Sequence, residues 1–371
     1  MNSRLRPWRE AATVVLAAGG GGEASGGRAA FDYEVLLLRR SPRSAFMPSA
    51  HVFPGGVADA ADFSPEWLPL LPAPPPAVRA GGPPRPPLFA AERPELGSPL
   101  PGEVAFRICA IRETFEEAGV LLLAPADQGR PAPGRPARLL PAGRLPPAAE
   151  LGEWRRRVQR QPGAFLQLCR HLRCAPNIWA LHEWSDWLTP AGRAGRGGRR
   201  YDTAFYLCCL GQRPPPASHD QQEVTAYQWT KPPEAIELFK SQDIWIPPPQ
   251  FYELCRLCNF PLLHDLHKFG FERALEGCER WMPVLLIASD GYMQLLPGDE
   301  LYPEDPDFTG ERKPMLTTNK KIEDVLKEAA RLHRIVIQDL NNVAIHVNVQ
   351  PKYKHINPLP LNTKTGNNSR L

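Results

Sequence analysis

No stretch of the 371 residues approaches the ~18 to 20 consecutive apolar positions that a membrane-spanning helix needs, so no membrane span is expected. Net charge is scarce as well. Against 44 Lys and Arg stand 40 Asp and Glu, a formal balance of +4 that argues against a dedicated nucleic-acid binder. A disulfide framework is also missing, because the 8 cysteines are scattered. The one C-x-x-C, Cys255 and Cys258, has no second pair or histidine run at zinc-site spacing. Its setting, "FYELCRLCNF", reads as a helix, so these thiols are expected to be small buried apolar groups in a reducing compartment. The N-terminal "AATVVLAA" is short and lacks a cleavage pattern, which makes it a first strand and not a signal.

Proline, by contrast, is abundant: 44 of 371 residues, more than twice the average usage of ~5%. It is concentrated in Pro65 to Pro101 and in Pro125 to Pro147. Neither run can be regular helix or strand throughout, so both read as loops or polyproline spacers. Pro83 to Pro87 has the composition of an SH3 ligand, but a solvent-exposed spacer is the simpler reading.

Between these runs lies "GEVAFRICAIRETFEEAG", starting at Gly102. Ala105, Ile108, Ile111, Phe115 and Ala118 recur at spacings of three and four, which predicts one helix with one apolar stripe. Glu103 falls in the first turn and Gly119 at the position of a left-handed C-terminal cap. Glu113, Glu116 and Glu117 then share a face, where like charges repel by a few tenths of a kcal/mol per pair in water and by more when buried. A solvated acidic face is the bland explanation. Only Arg107 and Arg112 are present to neutralise it, and strand-like segments on both sides imply close packing. Three carboxylates held together suit a hard divalent cation, which takes oxygen ligands.

Upstream, "TVVL" from Thr13 and "EVLLL" from Glu34 are strand-like, and Phe53-Pro54-Gly55-Gly56 is a breaker cluster whose glycines let backbone pass close to a ligand. This order, FPGG and then a helix with R-E-x-x-E-E-x-G-hydrophobic, resembles the Nudix hydrolases, whose box reads G-x5-E-x7-R-E-U-x-E-E-x-G-U with U aliphatic. Arg112, Glu113, Glu116, Glu117, Gly119 and Val120 match the second half, with Thr114 in place of the aliphatic residue. The first half departs. Six residues after Gly56 stands Asp62 instead of Glu, and the proline-rich stretch intervenes. The box therefore reads as split by an insertion, with Gly56 before it and Glu103 after it. A second signature, that of the coenzyme A-cleaving Nudix enzymes, is L-L-T-x-R-[SA]-x3-R-x3-G-x3-F-P-G-G. Leu36, Leu37, Arg40, Ser41 and the FPGG cluster fall in its register, while Leu38, Ala45 and Ser49 occupy its Thr, second Arg and Gly positions.

The resemblance implies an α/β fold, the Nudix α/β/α sandwich around a mixed sheet, with a proline-rich insertion splitting the box and a helical C-terminal extension. It implies a hydrolase domain over 1–242 with insertions at about 63–101 and 125–147, a mainly helical extension over 243–357 and a flexible tail over 358–371. It implies Mg²⁺ or Mn²⁺ on Glu113, Glu116 and Glu117, with Arg112 holding the glutamates and Glu116 or Glu223 taking the proton of the attacking water. Arg39, Arg40, Gly55 and Gly56 become the candidate substrate contacts, with coenzyme A and acyl-coenzyme A as substrates. Another nucleoside diphosphate, such as capped RNA or a nucleotide sugar, is the alternative, and a catalytically silent binding module the rival class. "LGEWRRRVQRQPGAFLQLCRHL" reads as two short helices whose basic cluster, Arg155, Arg156, Arg157 and Arg160, is taken as a solvated face. "RRYDTAFYLCCL" and "QQEVTAYQWT" read as late strands, Ile322 to Leu332 as an amphipathic helix and the segment after His333 as strands. The terminal Ser369-Arg370-Leu371 resembles a peroxisomal address read by an import receptor, which suits acyl-coenzyme A chemistry and makes the peroxisome the expected location.

Overall fold

The computed structural model describes residues 8–19, 31–71, 100–126, 134–191, 199–220, 222–312, 315–340 and 342–359. The glycine-rich segment 20–30, Pro83 to Pro87 and the terminal tripeptide lie outside these residues.

The chain order is β1 (Arg9–Gly19), β2 (Tyr33–Arg40), β3 (His51–Val52), β4 (Gly55–Val57), α1 (Gly102–Ala118), β5 (Leu123–Pro125), α2 (Ala148–Arg160), α3 (Ala164–Leu172), β6 (Cys174–Pro176), β7 (His182–Leu188), β8 (Tyr201–Leu210), β9 (Val224–Thr230), α4 (Pro232–Lys240), α5 (Pro248–Leu257) and α6 (Leu263–Ala274). There follow β10 (Arg280–Trp281), β11 (Val284–Ala288), β12 (Gly291–Leu295), β13 (Met315–Thr317), α7 (Ile322–Glu328), β14 (His333–Ile337) and β15 (Val343–Val347).

The first sheet runs β10-β7-β8-β1-β2-β3, with β4 on β1 and β9 on β2. It is mixed, since β1 pairs β8 parallel and β2 antiparallel. Helices cover both faces. Ala12, Val14, Leu16, Leu36 and Leu38 point to α1, α2 and α3, while Val15, Ala17, Val35 and Leu37 point to α4, α5 and α6. A strand buried on both faces has no polar side to show, which is why β1 reads as a continuous apolar run and not as an alternation. The cysteines are free thiols, all but Cys258 fully buried, as their lack of framework spacing suggests.

The mainly helical extension expected over 243–357 is corrected by the structure. Helices α5 and α6 contribute Phe251, Leu254, Leu263 and Leu266 to the core of the first sheet. After them the chain builds a second sheet of five strands in the order β13-β11-β12-β14-β15. Its strands are short apolar runs such as "VLLIA", whose length and pattern do not separate helix from strand. The helix read from Ile322 to Leu332 also stops early, at Glu328. There the peptide N–H groups of Ala330 and Arg331 turn to the Glu300 carboxylate, at 2.8 and 3.0 Å, and lead the chain into β14.

Candidate active site

Helix α1 spans Gly102–Ala118 and ends as its sequence predicts, with Gly119 left-handed at φ 71° and its N–H on the Phe115 carbonyl. The helix is buried nearly all round, so its charged face lies inside the fold. Thr114, in the aliphatic position, is tolerated there because its hydroxyl donates to the Ala110 carbonyl at 2.7 Å.

At the centre of the site is Arg112, only 2% exposed. Its Nη1 donates to Glu113 Oε1 at 2.8 Å and to Glu116 Oε1 at 2.6 Å. Its Nε and Nη2 grip the two oxygens of Asp62 at 2.8 and 2.9 Å, and Nη2 also reaches the Val57 carbonyl at 3.1 Å. One guanidinium is thus bonded to three carboxylates. Glu117 lies beside them, its Oε2 accepting from the Gly55 N–H at 2.8 Å.

This geometry corrects the reading of the split box. The acid that serves Arg112 from the first half is Asp62, six residues after Gly56, and not Glu103. Glu103 is nine residues, or roughly 13 Å, down the helix from Arg112, and its carbonyl accepts from Arg107. Gly56 has a plain steric role, because a Cβ there would run into the Glu113 carboxylate. Asp62 is held in turn by a capping box with Asp59, which fixes the turn where the insertion leaves the core.

Burial is the main cause of the electrostatics. It raises Glu113 to about 8, with Glu116 and Asp62 adding and Arg112 opposing. Glu117 is raised by burial and then by Glu113, against the Gly55 N–H and Arg40, and Glu116 is raised by burial against Arg112. Glu113 Oε2, Glu116 Oε2 and Glu117 Oε1 have no hydrogen-bond partner among the described residues. The donor set therefore fits a hard divalent cation: spare carboxylate oxygens, and more negative charge than one arginine neutralises. The three glutamates are not drawn into one ligand sphere, for among the described residues no three His, Cys, Asp or Glu side chains are arranged to hold an ion.

The remaining candidates divide. Arg40 lies on the helix side of β2, where its charge opposes the raising of Glu117, while its Nε and Nη2 tie the loop through the Phe46 carbonyl at 3.1 Å and Ser44 Oγ at 2.9 Å. Arg39 registers instead against His51, whose pKa falls to about 4 through burial first and Arg39 second. Ser49, in the signature's glycine position, has φ 60°, the left-handed conformation that glycine adopts most easily. Glu223 is exposed at the start of β9, and its negative charge contributes to the raised values of Glu116 and Glu117.

Two contacts were not legible beforehand. Arg155, from the basic cluster of α2, donates Nε to the Glu116 carbonyl at 2.8 Å, Nη1 to Ser218 Oγ at 2.7 Å and Nη2 to the Ser218 carbonyl at 2.9 Å. Gln159 donates to the same Glu116 carbonyl at 2.9 Å. Arg155, expected on a solvated face, thus clamps the C-terminal end of α1.

Residues 8–257 match the NUDT19 Nudix domain, and residues 285–348 match the NUDT19 C-terminal domain. The chain belongs to the NUDT19 family of Nudix hydrolases. The acyl-coenzyme A diphosphatase NUDT19 of Gallus gallus is 66% identical and covers 100% of both chains. The protein of that name from Homo sapiens is 50% identical, over 96% of this chain and 97% of its own. Among solved structures, a NUDIX hydrolase from Alicyclobacillus acidocaldarius is similar at 21% identity with a TM-score of 0.48, covering 74% of this chain and 98% of that one. The match to the Nudix domain runs past residue 242 to the end of α5.

Proposed function

We propose that the chain hydrolyses the diphosphate of coenzyme A and acyl-coenzyme A to 3′,5′-ADP and 4′-phosphopantetheine or its acyl derivative. The observation that carries this reading is full-length similarity to acyl-coenzyme A diphosphatases in a chain whose Arg112-centred carboxylate cluster is complete. In this reading Glu113, Glu116 and Glu117 hold Mg²⁺ or Mn²⁺. Such an ion, when bound, screens the diphosphate charge and makes a nearby water more acidic.

The chain's own groups do the rest. Arg112 keeps Glu113 and Glu116 side by side while gripping both oxygens of Asp62 and the Val57 carbonyl, five bonds that the three N–H donors of a lysine could not supply. The Gly55 N–H aims Glu117. Glu223, exposed at the start of β9 and not engaged by Arg112, takes the proton as water attacks phosphorus and the bond to the bridging oxygen breaks; Glu116, tied to Arg112, is the weaker choice. Arg40 meets the negative charge of the substrate, and Gly55 and Gly56 let the diphosphate approach the backbone. Turnover across coenzyme A, acyl-coenzyme A, NADH and capped RNA, with and without Mg²⁺, tests this. Preference for capped RNA would overturn the substrate, and absence of metal-dependent turnover on all of them would overturn catalysis.

Location in the peroxisome is part of the same proposal and rests on Ser369-Arg370-Leu371. Removing the three residues is expected to release the protein from peroxisomes with activity intact. Continued import would make the triplet a coincidence.

A further inference from the structure

On the far side of the first sheet from α1 lies a cavity of about 390 Å³, within the size range of small-molecule sites. It is closed by β7, α5 and α6 on one side and by the second sheet with its trailing segment on the other. Four cations line it: Arg256, Arg273, Arg331 and Lys352. Two are matched. Arg256 Nη1 meets both oxygens of Glu253 at 3.3 Å and its guanidinium stacks between the Tyr252 and Trp281 rings, while Lys352 pairs with Glu279 at 2.9 Å.

The other two are not. Arg331 stands exposed at the rim and forms no ion pair among the described residues, although the Glu300 carboxylate that accepts its peptide N–H at 3.0 Å also attracts its charge. Arg273 is the more telling. It is 2% exposed, its Nη1 and Nη2 reach only the carbonyls of Gly277 and Glu183, and its buried Nε has no partner. A buried guanidinium that bonds to no carboxylate, its charge eased by Glu183 and Glu253 only from a distance, is a costly arrangement. The histidines at the wall do not add charge, because burial first of all keeps His333 at about 4 and His355 well below its ordinary range. Trp184, under the Arg273 guanidinium at 5.8 Å, and Trp281 supply apolar walls.

We propose that this cavity is a second ligand site, separate from the hydrolytic one, that takes a small organic anion: a carboxylate or phosphate group on an apolar body. The anion would complete Arg273 at depth, with Arg331 and Lys352 at the mouth drawing it in. The body would lie along the tryptophans.

Isothermal titration of the full-length protein with hexanoate, hexyl phosphate, hexanol and inorganic phosphate tests this. Saturable one-to-one binding is expected for hexanoate or hexyl phosphate, and which of the two binds tighter tells carboxylate from phosphate. Hexanol is expected to bind at least ten-fold more weakly, since it forgoes charge-assisted bonds. Inorganic phosphate binding as tightly as hexyl phosphate would overturn the apolar part, and no saturable binding of either hexyl anion would overturn the site. The double variant Arg331→Glu/Lys352→Glu, at exposed positions, is expected to fold normally and to lose about ten-fold in anion affinity. Arg273→Leu is expected to abolish anion binding where it folds. Unchanged affinity in the double variant, with normal thermal unfolding, would show that the mouth charges do not serve this cavity.

Discussion

Arg112 and Arg334 are both almost fully buried, yet they are partnered in opposite ways. In the second sheet, Arg334 Nε and Nη2 each meet an oxygen of Asp299 at 2.7 Å, one acid for one base, and Asp299 also accepts the His333 N–H at 2.8 Å. On α1, Arg112 meets Asp62, Glu113 and Glu116, and Glu117 stands alongside. A balanced buried pair cancels charge and stabilises geometry, even though Arg334 Nη1 is left without a hydrogen-bond partner. An unbalanced one is held under repulsion by the rest of the fold, and its surplus charge marks where a ligand of opposite sign belongs.

Asp299→Ala is expected to give the largest loss of stability. It strands Arg334 in the interior, which costs about 3–5 kcal/mol. Denaturant unfolding measures it, and a loss below about 1 kcal/mol would mean that Arg334 finds water or another partner. Hydrolysis per folded molecule should not change, because the pair lies in the second sheet.

Glu117→Gln inverts that outcome. The amide keeps the shape and still accepts the Gly55 N–H, but one of the repelling charges is gone. Unfolding without metal should therefore be unaffected or slightly delayed. Turnover should fall at least about hundred-fold, the upper end of what removing a group that merely orients a metal ligand does. Near-normal turnover at saturating Mg²⁺ would remove Glu117 from the ligand set.

The comparison also carries a pH dependence. Glu113 is raised from 4.5 to about 8, by burial first and then by its acidic neighbours. Between those values the folded, metal-free protein holds a proton that the unfolded chain has released. Stability from this group is thus fully present below about pH 4.5 and is lost as pH rises to 8, by up to about 1.4 kcal/mol per pH unit. Glu116 and Glu117 are raised too and act with the same sign. A bound divalent cation favours the ionised forms, so the gain in Tm on adding Mg²⁺ should be larger at pH 8 than at pH 6. An equal gain at both would mean that Mg²⁺ does not bind at these carboxylates.

What could be read beforehand follows the same division. Helix α1 was legible because its apolar spacing, its acidic face and Gly119 all lie within one short segment. The two-faced burial of β1 was legible as an unbroken apolar run. Asp62 stood at the box spacing but is one methylene shorter than Glu, and the proline-rich stretch drew attention to Glu103 instead. Only the fold shows that Arg112 reaches back across 50 positions to it. The second sheet was hidden because strands of three to five residues carry too few positions to show a period. Arg155 was hidden for another reason: its partners are a peptide carbonyl and a serine far along the chain, and neither leaves a mark in a charge pattern.

That clamp gives the smallest effect and the finest test of the catalytic side. Arg155 joins the carbonyl of Glu116 to Ser218. Two residues on, Asp220 Oδ1 accepts the N–H groups of Gln222, Glu223 and Val224, at 3.1, 3.1 and 2.8 Å, and so fixes the turn that carries Glu223. Arg155 therefore sets the distance between the end of the carboxylate helix and the proposed proton acceptor without touching either carboxylate. Arg155→Ala should cost about 1–2 kcal/mol of stability, because three partly exposed hydrogen bonds are lost while Gln159 still holds the Glu116 carbonyl. It should lower kcat by about ten-fold with KM little changed, because substrate contacts stay while the acceptor drifts. Glu223→Gln should lower kcat further, and in that background Arg155→Ala should add almost nothing, since the two act through one group. Fully additive losses would place Arg155's effect on the carboxylates of α1 instead and would return the proton to Glu116.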